Sequence, residues 1–335
     1  MVGNYFMLKQ NLDAICSRLD LGSITTSPTQ VTGGLLHEMW QITTTKESYA
    51  VKILNPKIMQ KPDVVERYEI TETIARMFFQ KGIPAIISIV HDNKSVIEVD
   101  GAFFIVYPWV NGSMLGTHTT NEEYAQKIAA IVSRMHQLNI QLPKPMLYTW
   151  DMHPNSYFED LIAQAIKNDL PFASTLSDIS APILTWNEKY HLAIAQLNKH
   201  TLISHGDLDQ KNVLWTHNHE PMIIDWEAAR LVNPTQEIIS VSLDWSGLPS
   251  GTIDTEIFTS MINAYKNAGG IINKDDIQAS FGCIIGNCLN WLAFNIERSL
   301  DDNDKEKLLG IAQVQQALDI LPYLTSHVEK LVHLL

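Results

Sequence analysis

Two carboxylates and an amide stand at spacings that suit phosphoryl transfer. Asp207 and Asn212 lie five residues apart in the polar turn of Leu202-Ile203-Ser204-His205-Gly206-Asp207-Leu208-Asp209-Gln210-Lys211-Asn212-Val213-Leu214-Trp215, and Asp225 ends the apolar run Pro221-Met222-Ile223-Ile224 thirteen residues later. Phosphoryl transfer to a hydroxyl calls for a carboxylate to orient and deprotonate that hydroxyl. It also calls for oxygen ligands for Mg²⁺ and a cation on the phosphates that stay behind. Mg²⁺ takes one or two carboxylates and leaves room for water and phosphate. In that scheme Asp207 is the base, while Asn212 and Asp225 hold the metal. A strand–turn–strand explains Asp and Asn in a turn just as cheaply, so the loop needs support from elsewhere in the chain.

That support begins at Tyr49-Ala50-Val51-Lys52-Ile53, which reads as a strand with Lys52 facing opposite to Val51 and Ile53. A lysine so placed is the cation the phosphates need; an edge strand with its lysine in water is the bland alternative. The helix expected over 64–80 carries Glu66, Glu69 and Glu72. Glu72 is the expected partner of Lys52, with Glu69 second. Upstream, Thr32-Gly33-Gly34 could lie over phosphates, because glycine lets backbone N–H groups come close; a plain turn fits the pair as well. Neither G-x-G-x-x-G nor G-x-x-x-x-G-K-[ST] occurs, so the two common glycine-rich nucleotide loops are unsupported.

The elements that must position these residues divide near residue 110. Before it, a helix over 6–20 is followed by strands at 35–43, 48–54, 86–91, 95–99 and 102–110, with the 64–80 helix ended by Gly82-Ile83-Pro84. After it, helical periodicity recurs at 121–138, 156–169, 185–199, 235–245, 254–268, 275–299 and 303–333, interrupted by the 202–224 block. The expected class is α+β, with a small β-rich lobe over 1–109 and a larger helical lobe over 110–335.

Composition narrows the function. The chain has 335 residues, 45% of them apolar, enough for a real core. A net charge of -13 disfavours nucleic acid as a partner. Cys16, Cys283 and Cys288 fit no zinc spacing and point to a reducing, cytoplasmic setting. No signal peptide and no membrane span are expected.

The residues reached so far carry a resemblance. Protein kinases have a catalytic loop H-R-D-L-x-x-x-N and a later D-F-G; here the order His205, Asp207, Asn212, Asp225 matches, with Gly206 in place of Arg and Trp226-Glu227 in place of F-G. Together with Gly33-Gly34, Lys52 and a helix Glu, the set His205-Gly206-Asp207, Asn212 and Ile224-Asp225-Trp226 resembles the aminoglycoside phosphotransferase and choline kinase-like family over roughly residues 30–300. The resemblance implies a two-lobed protein-kinase-like fold, ATP and Mg²⁺ as cofactors, and a small-molecule acceptor such as an aminoglycoside or amino-alcohol. It implies that Lys52, partnered by Glu72, holds the ATP phosphates beneath Gly33 and Gly34. Backbone groups from Tyr107 through Trp109 to Val110 would meet adenine. Asp207 would be the base, Asn212 and Asp225 the metal ligands, and His205 a brace for the loop. The first lobe would then bind nucleotide and the second would carry the catalytic loop, the metal site and the acceptor site.

Two positions depart from the family pattern: Asp209 stands where many members have His, and Lys211 where many have Gly. Asp209 adds a carboxylate on the acceptor side, and Lys211 is a candidate for stabilising the transferred phosphate. Further acceptor-site candidates are Glu227, Asp244, Trp291 and Glu297, because Trp beside carboxylates suits an amine. Two other readings compete, a protein kinase-like enzyme and a non-catalytic nucleotide-binding module. The first lacks a long activation segment after Asp225. The second is disfavoured because Lys52, Asp207, Asn212 and Asp225 are all of the catalytic types.

Overall fold

The computed structural model describes residues 2–31, 37–116, 121–142 and 150–335, with side chains from residue 7 onward. Gly33 and Gly34 lie outside the described residues. In chain order the elements are α1 (Val2–Arg18), β1 (Thr29–Val31), β2 (Glu38–Thr43), β3 (Ser48–Ile53), α2 (Pro56–Met59), α3 (Val64–Gln80), β4 (Ile97–Val99), β5 (Ala102–Pro108) and β6 (Gly112–Ser113). There follow α4 (Glu122–Leu138), α5 (Asn155–Lys167), α6 (Ala173–Asp178), α7 (Ser180–Leu197), β7 (Leu202–Ser204), β8 (Val213–Thr216), β9 (Pro221–Ile223) and β10 (Arg230–Val232). The chain ends in α8 (Pro234–Trp245), α9 (Thr255–Asn267), α10 (Ile277–Ser299) and α11 (Asp304–Val332).

The chain forms two compact units. One comprises Met1–Met114 with Asn212–Ala229, and the other Leu115–Lys211 with Arg230–Leu335. In the first, an antiparallel sheet runs in the order β1-β2-β3-β5-β4. Alternation sends Val51 and its neighbours Phe104 and Val106 to one face, where Leu12 and Ile15 of α1 cover them. Lys52 pairs in register with Ile105 and faces the other way, toward the cluster of Ile105, Val64 and Tyr68 beneath α3. That helix begins and ends as its pattern predicts, and it buries Tyr68, Glu72, Ala75 and Phe78 along one stripe.

Residues 86–91, expected as a strand, do not form one. The Ile86 N–H donates to Ile223 O and the Ile89 N–H to Val106 O, so the stretch spends its donors on two different partners instead of one ladder. The first of these bonds, with Ile223 N–H to Pro84 O, fastens the β8–β9 hairpin to the first unit, and β8 also pairs with β6.

The second unit is helical, with α10 packed against α11, α7 and α8, and α4 against α9. Its core is built on Trp245, Tyr190, Tyr265, Phe172, Phe258 and Phe281, all fully buried. The short strands β7 and β10 pair antiparallel. The stretch of α10 with its lead-in, Lys274–Ser299, is long and apolar enough to cross a membrane by length and composition, yet half of it is buried within the protein. Glycine explains part of this close packing: a Cβ at Gly286 of α10 would overlap the Tyr190 ring of α7.

Candidate active site

Lys52 lies on the central strand of the first unit, almost buried, with Asp225 Oδ1 and Glu227 Oε2 each 2.8 Å from its ammonium. Two of its three donors are thereby engaged by carboxylates. Burial works against the charged ammonium, but Asp225 and Glu227 overcome it and raise the Lys52 pKa above its ordinary value. Burial likewise opposes ionisation of Glu227, while hydrogen bonding from His37 and the charge of Lys52 bring its pKa down to about 2. Asp225 takes a left-handed backbone, φ 59° and ψ 60°, where the chain leaves β9 for a 3₁₀ turn over Trp226–Ala228. Aspartate tolerates that region better than most residues. Trp226 stacks on Phe78 of α3 with ring centroids 5.5 Å apart, which seats the turn against that helix.

The hairpin register brings Asn212 to this group. Ile224 donates its N–H to Asn212 O at 3.0 Å, so Asn212 stands across from the residue before Asp225. A carboxylate and an amide are ligand types that suit Mg²⁺, which binds through one or two protein oxygens and completes its shell with phosphate and water. Among the described residues no cluster of three or more His, Cys, Asp or Glu forms a dedicated metal cage. The donor set fits a metal brought in with phosphate.

The expected partner of Lys52 is corrected. Glu72 is 4% exposed and turns to Tyr107, whose hydroxyl donates to Glu72 Oε1 at 2.5 Å; Glu72 Oε2 has no hydrogen-bond partner. Burial raises the Glu72 pKa, and the Tyr107 bond opposes that only in part. Glu69 caps the backbone N–H groups of Ser95 and Val96. The physical reason is reach: β5 places Tyr107 on the same sheet face as Lys52, two residues along from Ile105, where it meets α3 first. The Trp109 N–H donates to Ser48 O at 3.0 Å, which leaves its carbonyl as the backbone group it could offer adenine. Val110 follows just past β5.

In the second unit the loop after β7 presents Asp207, whose side chain is 49% exposed, beside Lys211 and Asp209. Lys211 Nζ is 2.6 Å from Asp209 Oδ2 and 3.7 Å from Asp207 Oδ2. Asp209 Oδ1 accepts the Lys211 N–H, a local turn that fixes the pair. Asp244, at the end of α8, is the third carboxylate: burial first, then the charges of Asp209 and Asp207, push its pKa well above the usual range. Burial and Asp207 also raise Asp209, against the pull of Lys211. Three acids thus stand around one lysine, and burial with mutual repulsion favours the neutral form of Asp244.

Behind the loop, His205 is fully buried, and its Nδ1 accepts the Asp207 N–H at 3.3 Å. Glu237 of α8 accepts the Gly206 N–H at 2.8 Å on Oε1 and meets His136 Nε2 at 2.6 Å on Oε2. His136 Nδ1 in turn lies 2.8 Å from the Tyr265 hydroxyl. Burial disfavours the Glu237 carboxylate, but these partners hold its pKa below the ordinary glutamate value. The backbone immediately before Asp207 is therefore pinned by a buried chain of groups from three helices.

The remaining acceptor candidates have contacts of their own. Glu227 belongs to Lys52. Trp291 is 42% exposed and stacks on Phe294, while Glu297 accepts the Tyr157 hydroxyl at 2.8 Å. Sequence reasoning missed His37, His136, Glu237 and Tyr265. An acidic residue in the first turn of a helix, as Glu237 is, reads as an ordinary helix-dipole choice, and nothing local marks the others.

Residues 27–266 match the sequence profile of the phosphotransferase enzyme family. No curated protein matches the chain by sequence. Among solved structures, a spectinomycin phosphotransferase in complex with ADP and spectinomycin is 14% identical, with a TM-score of 0.71 over 97% of this chain and 98% of that one. An amicoumacin kinase in complex with AMP-PNP, Ca²⁺ and its substrate is 14% identical, with a TM-score of 0.65 over 91% and 92%. A choline kinase from Streptococcus pneumoniae is 14% identical, with a TM-score of 0.62 over 96% and 99%. At such identities the likeness establishes the fold: a two-lobed, protein-kinase-like α+β architecture.

Proposed function

From the premise that the chain belongs to the phosphotransferase enzyme family, we propose that it moves the γ-phosphate of ATP to a hydroxyl of a small molecule, with Mg²⁺ as the metal. The observation that carries this reading is the Lys52 ammonium held at 2.8 Å by Asp225, with Asn212 set opposite the residue before that aspartate. Lys52 binds the phosphates that remain on ADP. Asp225 and Asn212 hold Mg²⁺, which when bound neutralises charge on the phosphate oxygens. Asp207 orients the acceptor hydroxyl and takes its proton as the new O–P bond forms and the β–γ anhydride bond breaks. We read residues 1–109 as the nucleotide-binding lobe and 110–335 as the lobe bearing the loop and the acceptor site. The hairpin with Asn212 and Asp225 packs within the first compact unit.

The acceptor we favour is cationic, such as an aminoglycoside or amino-alcohol. The support is the pair Asp207 and Asp209, two carboxylates against the single ammonium of Lys211, which attracts a positive group. The three thiols are free, which suits a cytoplasmic enzyme.

The test is Mg²⁺-dependent ATP consumption against a panel of amino-alcohols, aminoglycosides and neutral sugars. Turnover is expected with cationic acceptors. Asp207→Ala should lower kcat about 10²–10⁴-fold, the usual worth of a positioned base, with ADP affinity within several-fold of the parent. A variant that kept most of its kcat would remove Asp207 from the mechanism.

A further inference from the structure

Lys52 has two carboxylates against it, but one of them is the residue assigned to the metal. If Asp225 turns to Mg²⁺ when nucleotide binds, Lys52 must be held by something else. Glu72 turns Oε1 to Tyr107, and the ion pairs of Lys52 go to Asp225 and Glu227 instead. Glu227 is different, because it is itself held. His37, at the entrance to β2, has a nearly buried side chain, and its Nε2 lies 3.3 Å from Glu227 Oε2.

The tautomer of His37 follows from its other contact. Asn55 donates its backbone N–H to His37 Nδ1 at 3.0 Å. A backbone N–H can only donate, so Nδ1 carries no proton and the ring proton sits on Nε2. Nε2 faces Glu227, and the Tyr68 hydroxyl of α3 lies 2.8 Å from it. His37 is thus a neutral, oriented donor. Its single Nε2 proton faces both the Tyr68 oxygen at 2.8 Å and Glu227 Oε2 at 3.3 Å, so His37 braces Glu227 without competing with Lys52 for charge. Four elements meet at this point: β2 through His37, the end of β3 through Lys52 and Asn55, α3 through Tyr68, and the turn after β9 through Glu227.

We propose that Glu227, positioned by His37, is the standing anchor of Lys52, the part the sequence suggests for the helix residue Glu72. Glu227 and His37 are positioning residues that act on nucleotide through Lys52. The inference rests on the reading of Lys52 as the phosphate-binding lysine and adds what aims it.

The experiment is calorimetric titration of the full chain with ADP in the presence of Mg²⁺, with melting curves to check that each variant is folded. Glu227→Gln keeps the shape and removes the charge; it should weaken ADP binding about tenfold. His37→Ala should weaken it about three- to tenfold, with His37→Asn available if the alanine variant melts early. The double variant should bind no more weakly than Glu227→Gln alone, because His37 acts through Glu227. Glu72→Gln should leave the Kd within about twofold. The reverse pattern, with Glu72→Gln weakening ADP tenfold and Glu227→Gln leaving it unchanged, overturns the anchor and restores the helix glutamate. Fully additive losses in the double variant overturn the role of His37. Lys52→Ala separates this inference from its premise: an unchanged Kd there refutes Lys52 as the phosphate lysine, whatever holds it.

Discussion

Glu237→Gln tests whether the buried chain behind the catalytic loop is ionic and whether it aims Asp207. The substitution keeps the side-chain volume and one oxygen for the Gly206 N–H, but removes the charge from two short hydrogen bonds, at 2.8 Å and 2.6 Å. A hydrogen bond to a charged group contributes about 1.5–3 kcal/mol and a neutral one about 0.5–1.5, a difference of about 1 kcal/mol per bond. Two such bonds give a loss of about 2 kcal/mol at neutral pH. With an m-value of about 2–3 kcal/mol/M in urea, the unfolding midpoint falls by roughly 0.7–1 M. The pH dependence has a definite sign. Folding depresses the Glu237 pKa below its ordinary 4.5, so the parent's advantage is complete above that pH and fades as pH falls through the folded-state value. The midpoint difference should therefore be constant from pH 7 to about pH 5 and close below about pH 4.5. Because the Gly206 N–H precedes Asp207 in the chain, kcat should fall several-fold even where the variant is fully folded. Equal stability of parent and variant at pH 7 would refute the ionic chain.

Three other outcomes follow from the geometry. Asp225→Ala should abolish the Mg²⁺-dependent part of the melting shift given by ADP, and an unchanged shift would remove Asp225 from the metal site. Tyr107→Phe removes the hydroxyl that donates to the buried Glu72 Oε1 and should cost about 1–3 kcal/mol in denaturant melts; no loss would mean that another donor already serves that carboxylate. Gly286→Ala drives a methyl into the Tyr190 ring between α10 and α7. It should destabilise by about 1–3 kcal/mol, while Gly101→Ala meets no neighbouring atom and is penalised only through its φ of 77°.

The catalytic types were readable because they sit in short local patterns. His205-Gly206-Asp207 with Asn212 occupies one turn, and Lys52 lies in a strand whose alternation is visible. Lys52's choice among those acids was not readable. Its partners Asp225 and Glu227 are 173 and 175 residues away, and the decision turns on Tyr107 reaching Glu72 first. His37 carried no local mark: one histidine after a glycine pair becomes a tautomer-fixed donor only once Asn55 and Tyr68 fold around it. The strand expected at 86–91 failed for a related reason. Its apolar pattern was real, but its donors are divided between β5 and the distant β9.

The route of the chain has a consequence for how the protein is made. The first unit is interrupted after Met114 and completed only by Asn212–Ala229. Until that hairpin emerges, β6 and the Pro84–Ile86 stretch have no partners for their ladder bonds. At a synthesis rate of about 5–20 residues per second, the first unit waits on the order of 6–23 seconds for its last piece. A ribosome-bound nascent chain halted before the hairpin holds an unfinished unit, and a recombinant fragment ending at Met114 would share that defect.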